Sequence, residues 1–208
     1  MKPLLFCCLT VACFPLCGAS AEPTILFDGK SFAGWEGDTK TIWRIEDGMI
    51  TAGSLDKVVA RNEFLSTTKT YKDFELKVDF KIAGDKDKMN AGIQFRTKRI
   101  PNHHEVIGYQ ADIGQHYWGA LYDESRRRKI LAQPTKEVLE KAVKHGEWNE
   151  YTIRCEGKRV QLFLNGIPTV DYTEKEPDID DSGVIALQVH GGAKVQVWYK
   201  NIRLSELK

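Results

Sequence analysis

The chain has little cysteine where a folded domain would use it. Five are present in 208 residues, but Cys7, Cys8, Cys13 and Cys17 lie in the first 17, and only Cys155 follows. One remaining thiol excludes an intramolecular disulfide downstream. A domain without that staple rests on a sizeable apolar core, which 42% hydrophobic residues allow. Cys155 lies in Tyr151-Thr152-Ile153-Arg154-Cys155, where Tyr, Ile and Cys share one strand face. It reads as a small buried hydrophobe and not as a nucleophile. Net charge is also missing. Without Lys2 there are 29 basic and 29 acidic residues, which argues against a nucleic-acid partner or an electrostatically held membrane surface. The chain carries no nucleophile elbow, no HExxH, no phosphate loop, no internal repeat and no low-complexity tract.

The one apolar run, Pro3 to Cys17, follows Lys2 and precedes Ala19-Ser20-Ala21, a small-x-small cleavage pattern. It reads as a secretory signal over residues 1–21 and is too short for a membrane span. Secretion or export to the periplasm is expected. Acylation at Cys13 or Cys17 is the alternative, but Phe14-Pro15-Leu16 ahead of Cys17 fits a lipobox poorly. Residues 22–208 are then expected to form one domain.

Turn signals recur every ~8–12 residues through that region. Asp47-Gly48 and Asn165-Gly166 are hairpin signals, because both turn positions favour positive φ. Phe74, Leu76, Val78, Phe80 and Ile82 alternate with Glu75, Lys77, Asp79 and Lys81, a period of two with one wet face. Pro134 to His145 carries the only helical stripe, with Gly146 as its stop. About a dozen short strands and one short helix predict an all-β fold, a two-sheet antiparallel β-sandwich of the jelly-roll type.

The stretch from Asn90 to Arg128 differs from the scaffold strands. Parity puts Ala91, Ile93 and Phe95 on the core face and Gln94 and Arg96 opposite. Tyr109, Ala111 and Ile113 go inward and leave Gln110 and Asp112 together. Trp118, Tyr122 and Glu124 share a side, and later Gln188 and His190 oppose Ile185, Leu187 and Val189. An ordinary solvated face alternates Glu, Lys, Asp, Lys. This one offers amides, a guanidinium, carboxylates, a histidine and aromatic rings, the means of binding hydroxyl pairs and stacking on sugar rings. His103-His104, if extended, would point to opposite faces and chelate poorly.

Leu26-Phe27-Asp28-Gly29-Lys30, Asn90 to Arg96, Gly108 to Asp112, Gly119 to Tyr122, Trp148-Asn149, Leu164-Asn165-Gly166 and Gly183 to His190 together resemble the 3-keto-disaccharide hydrolase family over nearly all of residues 24–207. The resemblance implies a concanavalin-like jelly roll. It also implies glycoside substrates, oligosaccharides among them, whose C3 hydroxyl is already a ketone. One departure is that Tyr109-Gln110-Ala111-Asp112 stands where the family often has Tyr-Glu-x-Gln, so carboxylate and amide are exchanged.

A C3 ketone acidifies the C2 proton, so the implied chemistry is elimination across C2–C1 followed by hydration. The roles it implies are Asp112 as base, Arg96 with Gln188 toward the C3 oxyanion, and His190 or Glu124 as acid. Gln94, Gln110, Trp118 and Tyr122 would bind the substrate. No cofactor is demanded. A bound divalent metal on Asp112, Glu124 and His190 is an alternative source of the same stabilisation. Two other readings compete. One is a carbohydrate-binding module without catalysis. The other is a two-carboxylate glycosidase, for which the Glu-x-Asp-x-x-Glu strand is missing.

Overall fold

The computed structural model of the chain describes residues 22–207. Residues 1–21, read above as a secretory signal, lie outside the described residues. In chain order the strands are β1 (Thr24–Ile25), β2 (Trp35–Glu36), β3 (Arg44–Glu46), β4 (Met49–Ser54), β5 (Glu63–Tyr71), β6 (Phe74–Gly84), β7 (Asn90–Arg99) and β8 (Val106–Gly114). There follow β9 (Leu121–Glu124), β10 (Lys129–Ala132), the helix α1 (Lys136–Ala142), β11 (Asn149–Glu156), β12 (Arg159–Leu164), β13 (Ile167–Thr173), β14 (Gly183–Val189) and β15 (Val195–Glu206).

They form two antiparallel sheets. The first has the order β13-β12-β11-β6-β15-β4-β3, with β1 beside β15. The second has the order β10-β9-β8-β7-β14-β5-β2. The expected all-β sandwich is therefore the observed fold, with 15 strands among the described residues where the turn signals suggested about a dozen. The hairpins at Asp47-Gly48 and Asn165-Gly166 are present, and all four residues have positive φ. The helix is shorter than expected. Val143 already has extended backbone, so α1 ends at Ala142, four residues ahead of Gly146.

The core lies between the sheets and follows the period-two pattern. Phe74, Leu76, Val78 and Phe80 of β6 and Tyr151 and Ile153 of β11 are fully buried, as are Ile93 and Phe95 of β7 and Leu187 and Val189 of β14. Phe80 stacks on Tyr151 at 5.4 Å, and Phe95 on Tyr109 at 5.6 Å. Each such side chain contributes ~1.5–3 kcal/mol of transfer free energy. Cys155 is part of this core, and burial pushes its thiol up to about 12, which leaves it unreactive.

Two core tyrosines do more than fill space. Tyr151 donates its hydroxyl to the Asp112 carbonyl at 2.7 Å. The Tyr199 hydroxyl lies 2.8 Å from the Gln188 carbonyl and 3.2 Å from that of Gly92. Both belong to the first sheet and reach the backbone of the second at the strands that carry the polar residues.

Candidate active site

The register of the second sheet sets the polar residues side by side on its outer face. Gln94 of β7 faces Gln110 of β8, which faces Tyr122 of β9. One step along, Asp112 faces Gly92, which faces Gln188 of β14. The alternation that buries Ile93, Ala111 and Leu187 therefore presents a contiguous polar patch on the other side.

At its centre, amide donors converge on Asp112. Gln94 Nε2 donates to Gln110 Oε1, and Gln110 Nε2 donates to Asp112 Oδ2 at 2.9 Å. Asn90 Nδ2 and the backbone N–H of Ile113 donate to Asp112 Oδ1 at 2.9 and 3.0 Å. Burial raises the Asp112 pKa and outweighs those donors, which favour the carboxylate. The net result is a value pushed up to about 7. Glu124 is also held above its ordinary range, first by burial and then by the nearby charge of Glu105.

Above this floor lies a cavity of about 220 Å³ lined by Asn62, Asn90, Gln110, Asp112, Tyr122, Glu124 and His190, with Gln115 and Tyr117 at its edge. His190 directly follows β14, so it meets Asp112, 78 positions earlier in the chain. Its Nδ1 lies 2.7 Å from the Gly191 carbonyl. A carbonyl only accepts, so Nδ1 carries the proton and Nε2 of the neutral ring keeps its lone pair. Tyr117 packs edge-on against Tyr122, with centroids 6.1 Å apart.

Of the nine expected site residues, Gln110, Asp112, Tyr122, Glu124 and His190 line the cavity. Four do not. Arg96 has φ 46°, and the β7–β8 pairing slips between Phe95 and Lys98. This bulge breaks the alternation and turns the side chain away. The guanidinium donates to Lys72 O (2.8 Å), Gly157 O (2.7 Å) and Asp73 Oδ1 (2.9 Å), joining two turns at one end of the sandwich. It is a structural tie and cannot serve an oxyanion in the cavity. Trp118 lies ahead of β9, and Gly119 at φ 72° reverses the side on which the chain continues. Its ring packs in the core against Phe80, 6.2 Å away, so it offers no platform to a sugar. Gln94 and Gln188 do face outward but are fully buried beneath the patch. Gln94 acts through Gln110. The Gln188 amide has no hydrogen-bond partner among the described residues.

Asn62, Asn90, Gln115 and Tyr117 were missed. Asn62 Nδ2 donates to Glu105 Oε1 at 3.3 Å, its Oδ1 accepts from Gly191 N at 3.0 Å, and its carbonyl meets His104 Nδ1 at 3.0 Å. It precedes β5 between Arg61 and Glu63, far in sequence from the other cavity residues, so only the fold reveals it. Asn90 opens the stretch singled out above, one position ahead of the alternation over residues 91–96 and on the same face as Gly92 and Gln94. His103 and His104 do not splay apart. They occupy a turn, not a strand, and their rings stack at 4.5 Å.

Among the described residues no group of three or more His, Cys, Asp or Glu side chains is arranged to hold a metal ion. Asp112, Glu124 and His190 line one cavity but do not form such a group.

A two-sheet jelly roll bearing a polar cavity on one outer face defines a class shared by many carbohydrate-associated proteins. The chain belongs within it to the family described as 3-keto-alpha-glucoside-1,2-lyase-like, whose model matches residues 22–205. It is 25% identical over 230 residues to a 3-keto-disaccharide hydrolase of Bacteroides thetaiotaomicron, covering 88% of this chain and 77% of that one. Its fold is similar to that of a candidate glycosyl hydrolase from Parabacteroides distasonis, with a TM-score of 0.66 and 20% identity over 90% of this chain and 94% of that one. It is also similar in fold to the carbohydrate-binding module CBM66 of Bacillus subtilis, with a TM-score of 0.64 and 15% identity over 83% and 96% of the two chains.

Proposed function

We propose that the protein cleaves glycosides oxidised at C3, by elimination and then hydration, and that it does so outside the cytosol after removal of residues 1–21. The observation that carries this reading is the cavity in which Asp112, Glu124 and His190 meet amides and tyrosines, within the 3-keto-glycoside family.

Asp112 removes the C2 proton. A base with a pKa near 7 is matched to neutral pH, where it is partly ionised and still basic enough to act. The released electron pair is held as an enolate on the C3 oxygen, toward which the Tyr122 hydroxyl donates. The pair then forms the C1=C2 bond as the C1–O bond breaks. The departing oxygen takes a proton from Glu124, a carboxyl whose pKa burial raises. Water adds its hydroxyl to C1, and a proton returns to C2. The products are a 3-keto sugar with a free anomeric hydroxyl and the leaving alcohol. His190 Nε2 accepts a hydroxyl of the bound ring.

The test is to incubate the protein with a 3-keto-disaccharide and with its unoxidised parent. Release of two sugars from the ketone alone supports the reading. Equal cleavage of the parent contradicts it. Binding of the ketone without release assigns the cavity to a binding module, as the likeness to CBM66 would favour.

A further inference from the structure

The cavity is small. At about 220 Å³ it lies below the ~300–1,000 Å³ of sites that hold drug-sized ligands, so it takes one sugar ring. Any second sugar has to lie outside it. A wider groove of about 770 Å³ adjoins it, lined by Glu36, Asp38, Arg61, Arg99, His103 and His104 among others. The wall between the two is thin. Asn62 lines the cavity, while its chain neighbours Arg61 and Glu63 line the groove. On the other side Glu105 meets Asn62, while His103 and His104 face the groove.

The groove's chemistry suits a neutral polyol. Its cations are already matched by anions, with Arg61 Nε 2.8 Å from Glu63 Oε1 and Arg99 Nε 3.5 Å from Glu36 Oε1. A charged ligand would have to compete with those pairs. A sugar can bridge them, accepting from guanidinium and donating to carboxylate through neighbouring hydroxyls. His103 adds an exposed ring. Its Nδ1 accepts from the Glu105 backbone N–H at 3.1 Å, which leaves the proton of the neutral ring on Nε2 and free to donate. His104, stacked behind it and held by the Asn62 carbonyl, fixes the plane of that ring.

We propose that the groove bounded by Arg61, Arg99 and His103 is the subsite for the leaving sugar, so that the chain selects 3-keto-disaccharides over 3-keto-glycosides of small alcohols. This rests on the functional reading above, which puts the ketone ring in the cavity. Asn62 then lies beside the scissile bond and couples the two subsites through Glu105 and Gly191.

Calorimetric titration with methyl 3-keto-α-glucoside and with a 3-keto-glucosyl disaccharide tests it, using the wild type, Arg61→Ala and His103→Ala. Both side chains are exposed enough for the folded protein to tolerate truncation, and a matching melting temperature verifies this. The ratio of disaccharide to methyl-glycoside affinity is expected to fall about tenfold in each variant, the effect of one lost charged or aligned hydrogen bond. An unchanged ratio with the methyl glycoside still bound overturns the subsite and leaves the functional reading standing. Binding of neither ketone overturns both.

Discussion

Gly92 and Gln110 claim the same space. A Cβ built on Gly92 would lie 2.5 Å from Cδ of Gln110, because the Gln110 side chain lies across the glycine on its way to Asp112. The glycine is required here for close approach, not for an unusual φ. Gly92→Ala is expected to push the amide off Asp112, with an overpacking cost of ~1–3 kcal/mol. Turnover should fall more than substrate affinity does, which a kcat and KM split on a 3-keto-disaccharide measures. Unchanged kcat would separate Gln110 from the chemistry.

Asp112 gives the protein a pH signature. Its ordinary value is 3.8 and its folded value about 7, so folding favours the protonated form. That contribution to stability is complete below pH 4 and is lost as pH rises through 7. Asp112→Asn removes the dependence. Melting curves from pH 4 to 7 should show the wild type losing ground to the variant as pH rises. A constant difference would place the carboxyl in water. Activity runs the other way, since the base must be ionised, and kcat/KM should rise with an apparent pKa near 7.

Glu174 has the opposite sign. Burial raises its pKa, but the bonds from Arg127 and Tyr109 outweigh this and bring it to about 2. Its contribution is present above 4.5 and is lost as pH falls toward 2. Acid unfolding below pH 4.5 should therefore weaken in Glu174→Gln, which a pH titration of circular dichroism reads directly.

Arg96 is expected to matter for stability and not for catalysis. Arg96→Met removes three hydrogen bonds and leaves Asp73, which is partly exposed and can regain water. The cost should be about 2–3 kcal/mol by urea unfolding, with kcat of the folded protein retained. A large drop in kcat with normal stability would contradict its assignment as a tie between turns.

The architecture was readable in the chain because period-two alternation and positive-φ turns are local signals. The β6 face, both glycine hairpins and the outward side of Gln110, Asp112, Tyr122 and Glu124 follow from counting alone. Parity fails where a single residue resets it. The left-handed backbone of Arg96 does so with no local signal, and Gly119 after Trp118 does so as a lone glycine inside an alternating run. Asn62 was invisible for another reason. Its role depends on Gly191 and Glu105, brought to it only when β5, β14 and the β7–β8 turn come together.

The central claim is proton removal at C2. The direct measurement is cleavage of a 3-keto-disaccharide in D2O, with deuterium in the released keto sugar read by NMR and a protein-free control for spontaneous exchange. Elimination and hydration predict one deuterium at C2 for each bond cleaved, with Asp112→Asn slowing cleavage and deuterium uptake together by ~10²-fold or more. Cleavage that leaves C2 fully protonated would contradict the mechanism.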